Sequence, residues 1–233
     1  MEKRGVSHIE VILAFVLFMG FVGFAIYFFN PLKNPIVGET FSKSAFNEII
    51  KNSSTEVVSY SIKILSDPLP NIVAINISDL GPGMNALAEN YDGNRLNAEI
   101  ENRLVYVQIN GNNFIVIKFN AEFVPQTISE HPLLDESFYD IASVNSERLV
   151  SKAKILQMNK SYYSDAGYDS LKNSLKIQKE KSFGFRMIFD ESYSINAEIA
   201  DFSKSEVFAY EEKVKVLAQN GEIKFANLIV KTW

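Results

Sequence analysis

Nineteen consecutive residues without a charge, VILAFVLFMGFVGFAIYFF at positions 11–29, constrain this chain more than any other feature of its sequence. As a helix the run extends about 28 Å at ~1.5 Å per residue, close to the roughly 30 Å hydrocarbon core of a bilayer. Core helices of globular domains seldom carry large apolar side chains on every face for that length. The run therefore predicts a membrane helix or a targeting signal. The basic pair Lys3-Arg4 at the short end favours a cytoplasmic N-terminus. Asn30 and Pro31 then mark the exit, and the remaining chain is expected outside the cell membrane as the outer part of a single-pass protein. Gly23-Phe24-Ala25 offers a secretory cleavage site, but the apolar run continues through Ile26, Tyr27, Phe28 and Phe29, where such a site turns polar. An uncleaved anchor is a further reading.

The residues before the run carry more detail. MEKRGVSHI places Lys3 and Arg4 before Gly5, followed by a short polar stretch, then Glu10 directly against the apolar helix. This arrangement resembles the class III signal of type IV pilins and pilin-like proteins. The resemblance implies that a prepilin-type peptidase cuts between Gly5 and Val6, so that Glu10 becomes the fifth residue of the mature chain. It also implies that Glu10 faces the amine of a neighbouring subunit's Val6 during assembly and sets axial register. His8 stands where an apolar residue is usual, the helix lacks an internal proline, and no cysteine is present for a C-terminal disulfide loop. These departures point towards an archaeal or otherwise divergent member. The resemblance covers about the first thirty residues. A carboxylate at the edge of hydrocarbon costs on the order of 2 kcal/mol or more unless it is paired, which gives Glu10 a physical reason to seek a partner; reaching headgroup water is the simpler alternative.

Beyond residue 30 the pattern shifts to strands, giving an α+β expectation: a long N-terminal membrane helix, then an extracytoplasmic domain of antiparallel β-hairpins with a helical segment near 146–177. The stripe Phe41, Ala45, Phe46, Ile49 and Ile50 in FSKSAFNEIIK predicts a short continuation helix. Strands are expected at 56–65 (EVVSYSIKIL) and 71–78 (NIVAINIS), both rich in β-branched residues. RLVYVQIN-GN-NFIVIKFN at 103–120 predicts a hairpin turning on Gly111-Asn112. Residues 121–140, with Pro125 and Pro132, predict a connection. In 146–177, Leu149, Ala153 and Leu156 share one helical face, and Tyr168, Leu171 and Leu175 another, with Gly167 between the pieces. Strands resume at 183–189, 193–199, 207–217 and 222–232, the last two joined through Asn220-Gly221. The expected organisation is a leader at 1–5, an assembly helix at 6–30, a mostly β part at 31–135 and an α+β part at 136–233.

Chemistry is sparse. His131 is the only histidine apart from His8, and no cluster offers zinc-ligand spacing. There is no nucleophile elbow, phosphate loop or complete dinucleotide fingerprint. Asp135, Glu136, Asp140, Asp165 and Asp169 lack calcium-loop spacing. No catalytic residue, cofactor or metal is expected. A net charge of −5 without a basic block argues against nucleic acid. Asn52, Asn76 and Asn159 begin N-glycosylation triplets. The function these readings favour is a pilin-like subunit of an extracellular filament or pseudopilus, a minor or adhesive tip subunit given its large head. Its expected partners are the membrane, the peptidase and other pilin-like subunits. The alternative is an anchored module that binds a ligand or surface.

Overall fold

The computed structural model describes residues 8–28, 35–78, 80–198 and 206–233. Twelve strands and four α-helices follow one another among them. Helix α1 covers His8–Phe28 and α2 covers Pro35–Ser53, starting on a proline whose missing N–H has no intrahelical partner to lose. The predicted stripe on α2 is the buried one: Ala45, Phe46 and Ile49 are enclosed. Its end is abrupt. Ser53 Oγ donates to the Ile49 carbonyl at 2.7 Å and Ser54 Oγ to the Ile50 carbonyl at 2.6 Å. Those hydroxyls satisfy the last carbonyls of the helix, and β1 (Ser54–Ile64) begins with no intervening loop.

The remaining strands are β2 (Ile72–Asn76), β3 (Asn85–Asn90), β4 (Arg95–Leu96), β5 (Ala98–Glu101), β6 (Leu104–Gln108), β7 (Phe114–Asn120), β8 (Tyr139–Ser151), β9 (Phe183–Ile188), β10 (Ser194–Ala197), β11 (Phe208–Leu217) and β12 (Ile223–Thr232). Helices α3 (Lys152–Tyr162) and α4 (Asp165–Ser174) lie between β8 and β9. Nine strands form one sheet in the order β10-β9-β12-β11-β8-β1-β7-β3-β4, and β2-β6-β5 form a second. A single large sheet thus replaces the expected succession of hairpin modules, and the fold is mainly β rather than a membrane helix followed by an α+β domain.

The hairpin expected at 103–120 does not form. The turn itself is present: Asn110 and Gly111 both have positive φ, and the Asn112 amide donates to the Ile109 carbonyl at 2.9 Å. However, β6 pairs with β2 and β5 while β7 pairs with β1 and β3. The reason is the side-chain pattern. Val105, Val107 and Ile109 on one arm and Ile115, Ile117 and Phe119 on the other are all essentially inaccessible and share one core. Two such rows bury more by facing each other across two sheets than by lying side by side in one. The final hairpin does form, with β11 and β12 paired from Phe208↔Thr232 to Leu217↔Ile223. Gly221, at φ 80°, closes its turn in the left-handed region.

The helical expectation for 146–177 is also corrected at its start. Residues 146–151 are the end of β8, where Leu149 sits in a buried cluster with Val57 and Leu217. Ser151 then caps α3 by accepting the Lys154 amide. The break between helices falls at Tyr163-Ser164, and Gly167 lies inside α4.

The two cores exchange elements across the chain. Helix α2 packs with α3, α4 and β9–β12 around Ile155, Phe183, Phe185 and Leu228. Conversely β8 pairs along β1 in the other half. The halves meet where β8 and β11 run parallel for only two pairs, Val150↔Val216 and Ser151↔Leu217.

The membrane expectation is overturned. Among the described residues no helix is long and apolar enough to cross a membrane. The single-pass anchor, the cell-membrane location with an outer domain, and the prepilin-type signal lose their support with it.

Candidate interaction surfaces

Helix α1 is the most conspicuous candidate. Its side chains are apolar around the whole circumference, Glu10 in the first turn being its only acidic residue. They are also uncovered: Leu17 is 67% exposed, Phe21 69% and Tyr27 82%. Contiguous apolar surface of this extent marks an interaction site. Of the other residues singled out with Glu10, Lys3, Arg4, Gly5 and Val6 lie outside the described residues.

The three glycosylation triplets are not equivalent. Asn52 lies in α2 with its side-chain nitrogen donating to the Glu48 carbonyl at 2.8 Å. Asn159 lies in α3 with its nitrogen on the Asn196 carbonyl at 2.6 Å. Both acceptor nitrogens are engaged and both backbones are helical. Asn76, exposed at the end of β2 on a strand rather than a helix, makes a longer 3.2 Å contact to Glu136.

His131 belongs to a polar clamp that the sequence left unassembled. Its Nδ1 lies 2.9 Å from Glu101 and its Nε2 3.2 Å from Glu99, with the ring 4.4 Å from that of Tyr106. Glu99 also accepts the Ile128 amide at 2.6 Å. Acceptance of that amide, with His131 adding to it, holds the Glu99 carboxyl below the usual range. The clamp fastens the 121–135 connection over β5, the edge of the smaller sheet. Glu99 and Glu101 lie two apart on a strand and so share a face, which was legible; a partner thirty residues away was not.

A second polar knot joins the halves. Glu122 accepts the hydroxyl of the fully buried Ser151, and Lys154 donates to the Ser54 carbonyl at 2.7 Å while lying 3.8 Å from Glu122. Glu122 Oε1 is buried without a hydrogen bond, the Lys154 ammonium at 3.8 Å being the charge that faces it, so the knot is a brace between elements with one oxygen held by charge alone. Where β8 and β11 part, an open groove of about 500 Å³ is lined by Phe46, Ile50, Arg148, Val150, Glu212 and Val214. Among the described residues no group of three metal-capable side chains converges.

Comparison with family models, curated proteins and solved structures finds no significant match.

Proposed function

We propose that this chain is a pilin-like subunit of an extracellular filament, polymerising through α1. The observation that carries the reading is a 21-residue helix that is apolar on every side and exposed at most of its described side chains. A one-sided stripe would be satisfied by a single partner surface. A helix without a polar face needs neighbours all round it, and copies of itself supply them as a bundle. Burying side chains such as Phe15, Leu17, Phe21 and Phe24 contributes on the order of 1–2 kcal/mol each at their present exposure.

Apolar surfaces alone tolerate sliding. Glu10, at the start of α1, supplies register because a carboxylate drawn into such a bundle must be met by a donor or cation at one axial position. The β-rich remainder is then the head that the filament displays, with an adhesive or scaffolding surface.

The test is Glu10→Ala in the full chain, with filaments scored by electron microscopy and folding of the head by circular dichroism. Loss of filaments with the head folded supports the reading. Filaments of normal length and number would remove Glu10 from assembly, and a wild-type chain that stays monomeric would end the filament reading.

A further inference from the structure

Strand β8 is exposed in an unusual way. One edge pairs with β1 from Tyr139↔Ile64 to Val150↔Ser54. Its other edge meets β11 only at Val150 and Ser151. Over residues 140–146 every side chain is exposed, on both faces of the strand. Among the described residues, the outward backbone groups of this stretch have no ladder partner. Each such N–H and C=O is a strong hydrogen-bonding group aligned for another strand.

The side chains make the edge selective. A register shift opposite Ser61/Ile62 leaves Ala142 as an extra residue and brings Ile141 and Val144 onto one face, opposite Ile62 and Tyr60. Ile62 and Tyr60 are core residues, whereas Ile141 is 40% and Val144 56% exposed. The core face of the sheet therefore runs on, uncovered, to the open edge. The neighbouring edge of β11 differs: it carries Lys213 and Lys215, the residue type that blunts edge pairing. Residues 140–146, DIASVNS, contain no lysine, arginine or proline.

We propose that the free edge of β8 takes an extended strand from a second copy of the chain, closing over Ile141 and Val144. Size selects the occupant. A seven-residue edge is roughly 23 Å long and 10 Å deep, burying about 460 Å² in total, well below the ~1,200 Å² of independently stable interfaces. A freely diffusing ligand would not be held by it. A copy already tethered through α1 arrives at an effective concentration in the millimolar range, where so small a contact suffices. The inference thus rests on the filament reading and adds a lateral contact between heads.

Hydrogen exchange read by mass spectrometry on the full chain tests it, comparing the assembled state with chain dispersed by dilution. The outward amides within 140–146 should exchange at least ten-fold more slowly on assembly. Val144→Lys, at an exposed position that leaves the core intact, should abolish that protection while the exchange of β12 stays as in wild type. Assembly with β8 exchange unchanged overturns this inference and leaves the filament reading standing. Protection that survives Val144→Lys overturns the apolar closure, and absence of assembly ends both readings.

Discussion

The hydroxyl pair Ser42 and Thr232 joins α2 to the last strand, β12, and a double-mutant cycle should measure what that link contributes. Both residues are buried, and their oxygens lie 2.8 Å apart. Ser42 Oγ is also 3.0 Å from the Phe208 carbonyl and 3.3 Å from that of Gly38. A serine has one proton, and the carbonyls can only accept. Ser42 therefore donates to a carbonyl, best to Phe208, and Thr232 donates to Ser42. Replacing Ser42 with Ala strands the Thr232 hydroxyl and costs about 2 kcal/mol, within the ~1–3 kcal/mol of an unsatisfied buried donor. Thr232→Val leaves Ser42 bonded to Phe208 and costs about 1 kcal/mol. The double variant strands no hydroxyl, so its loss should fall short of the sum by about 1 kcal/mol. The few tenths that alanine gains in helix propensity appear in both backgrounds and cancel. Urea unfolding followed by far-ultraviolet circular dichroism gives the four stabilities. In a heat scan, Ser42→Ala should lower Tm by about 4–8 °C for a chain of this size. Additivity within ~0.3–0.5 kcal/mol would refute the coupled pair.

Other outcomes follow from single sites. Gly38→Ala would ordinarily stabilise a helix by up to about 1 kcal/mol, but a Cβ there would overlap the Phe208 ring; a net loss of about 1–3 kcal/mol is expected in denaturant, and a gain would show that ring to be free to move. Tyr162→Phe removes a buried 2.9 Å bond to the Phe183 carbonyl and should cost about 1 kcal/mol, whereas an unchanged midpoint would mean that water replaces the phenol. The Glu99 carboxyl sits below its ordinary range in the folded chain, so its contribution is present above the unfolded pKa and is lost as pH falls through the folded one; the protection factor of the Ile128 amide, taken against the intrinsic exchange rate at each pH, should fall on that acidification and in Glu99→Gln, and indifference to both would detach the 121–135 connection from the clamp. Ile49→Ala, at a position without solvent access, should cost about 2–5 kcal/mol, with a loss under 1 kcal/mol indicating a collapsible core.

Local chemistry is what the sequence by itself determined. The apolar run specified helix α1, the spacing of Phe46 and Ile49 specified which face of α2 is buried, and Asn220-Gly221 specified the last hairpin. Each depends on interactions a few residues long, so periodicity and turn chemistry suffice. Pairing between distant segments was decided only in three dimensions. The Gly111 turn formed as its residues dictate, yet β6 and β7 separated into two sheets because burial across a sandwich outweighed adjacency. Leu149 fitted a helical stripe equally well, and only its packing on Val57 and Leu217 made it strand. Likewise the His131 clamp, the two-pair seam between β8 and β11 and the open edge beside it depend on residues far apart in the chain. A period of two or 3.6 states which side of an element is apolar; which partner covers that side, and where the cover stops, is set by the competition among all the other faces for the same core.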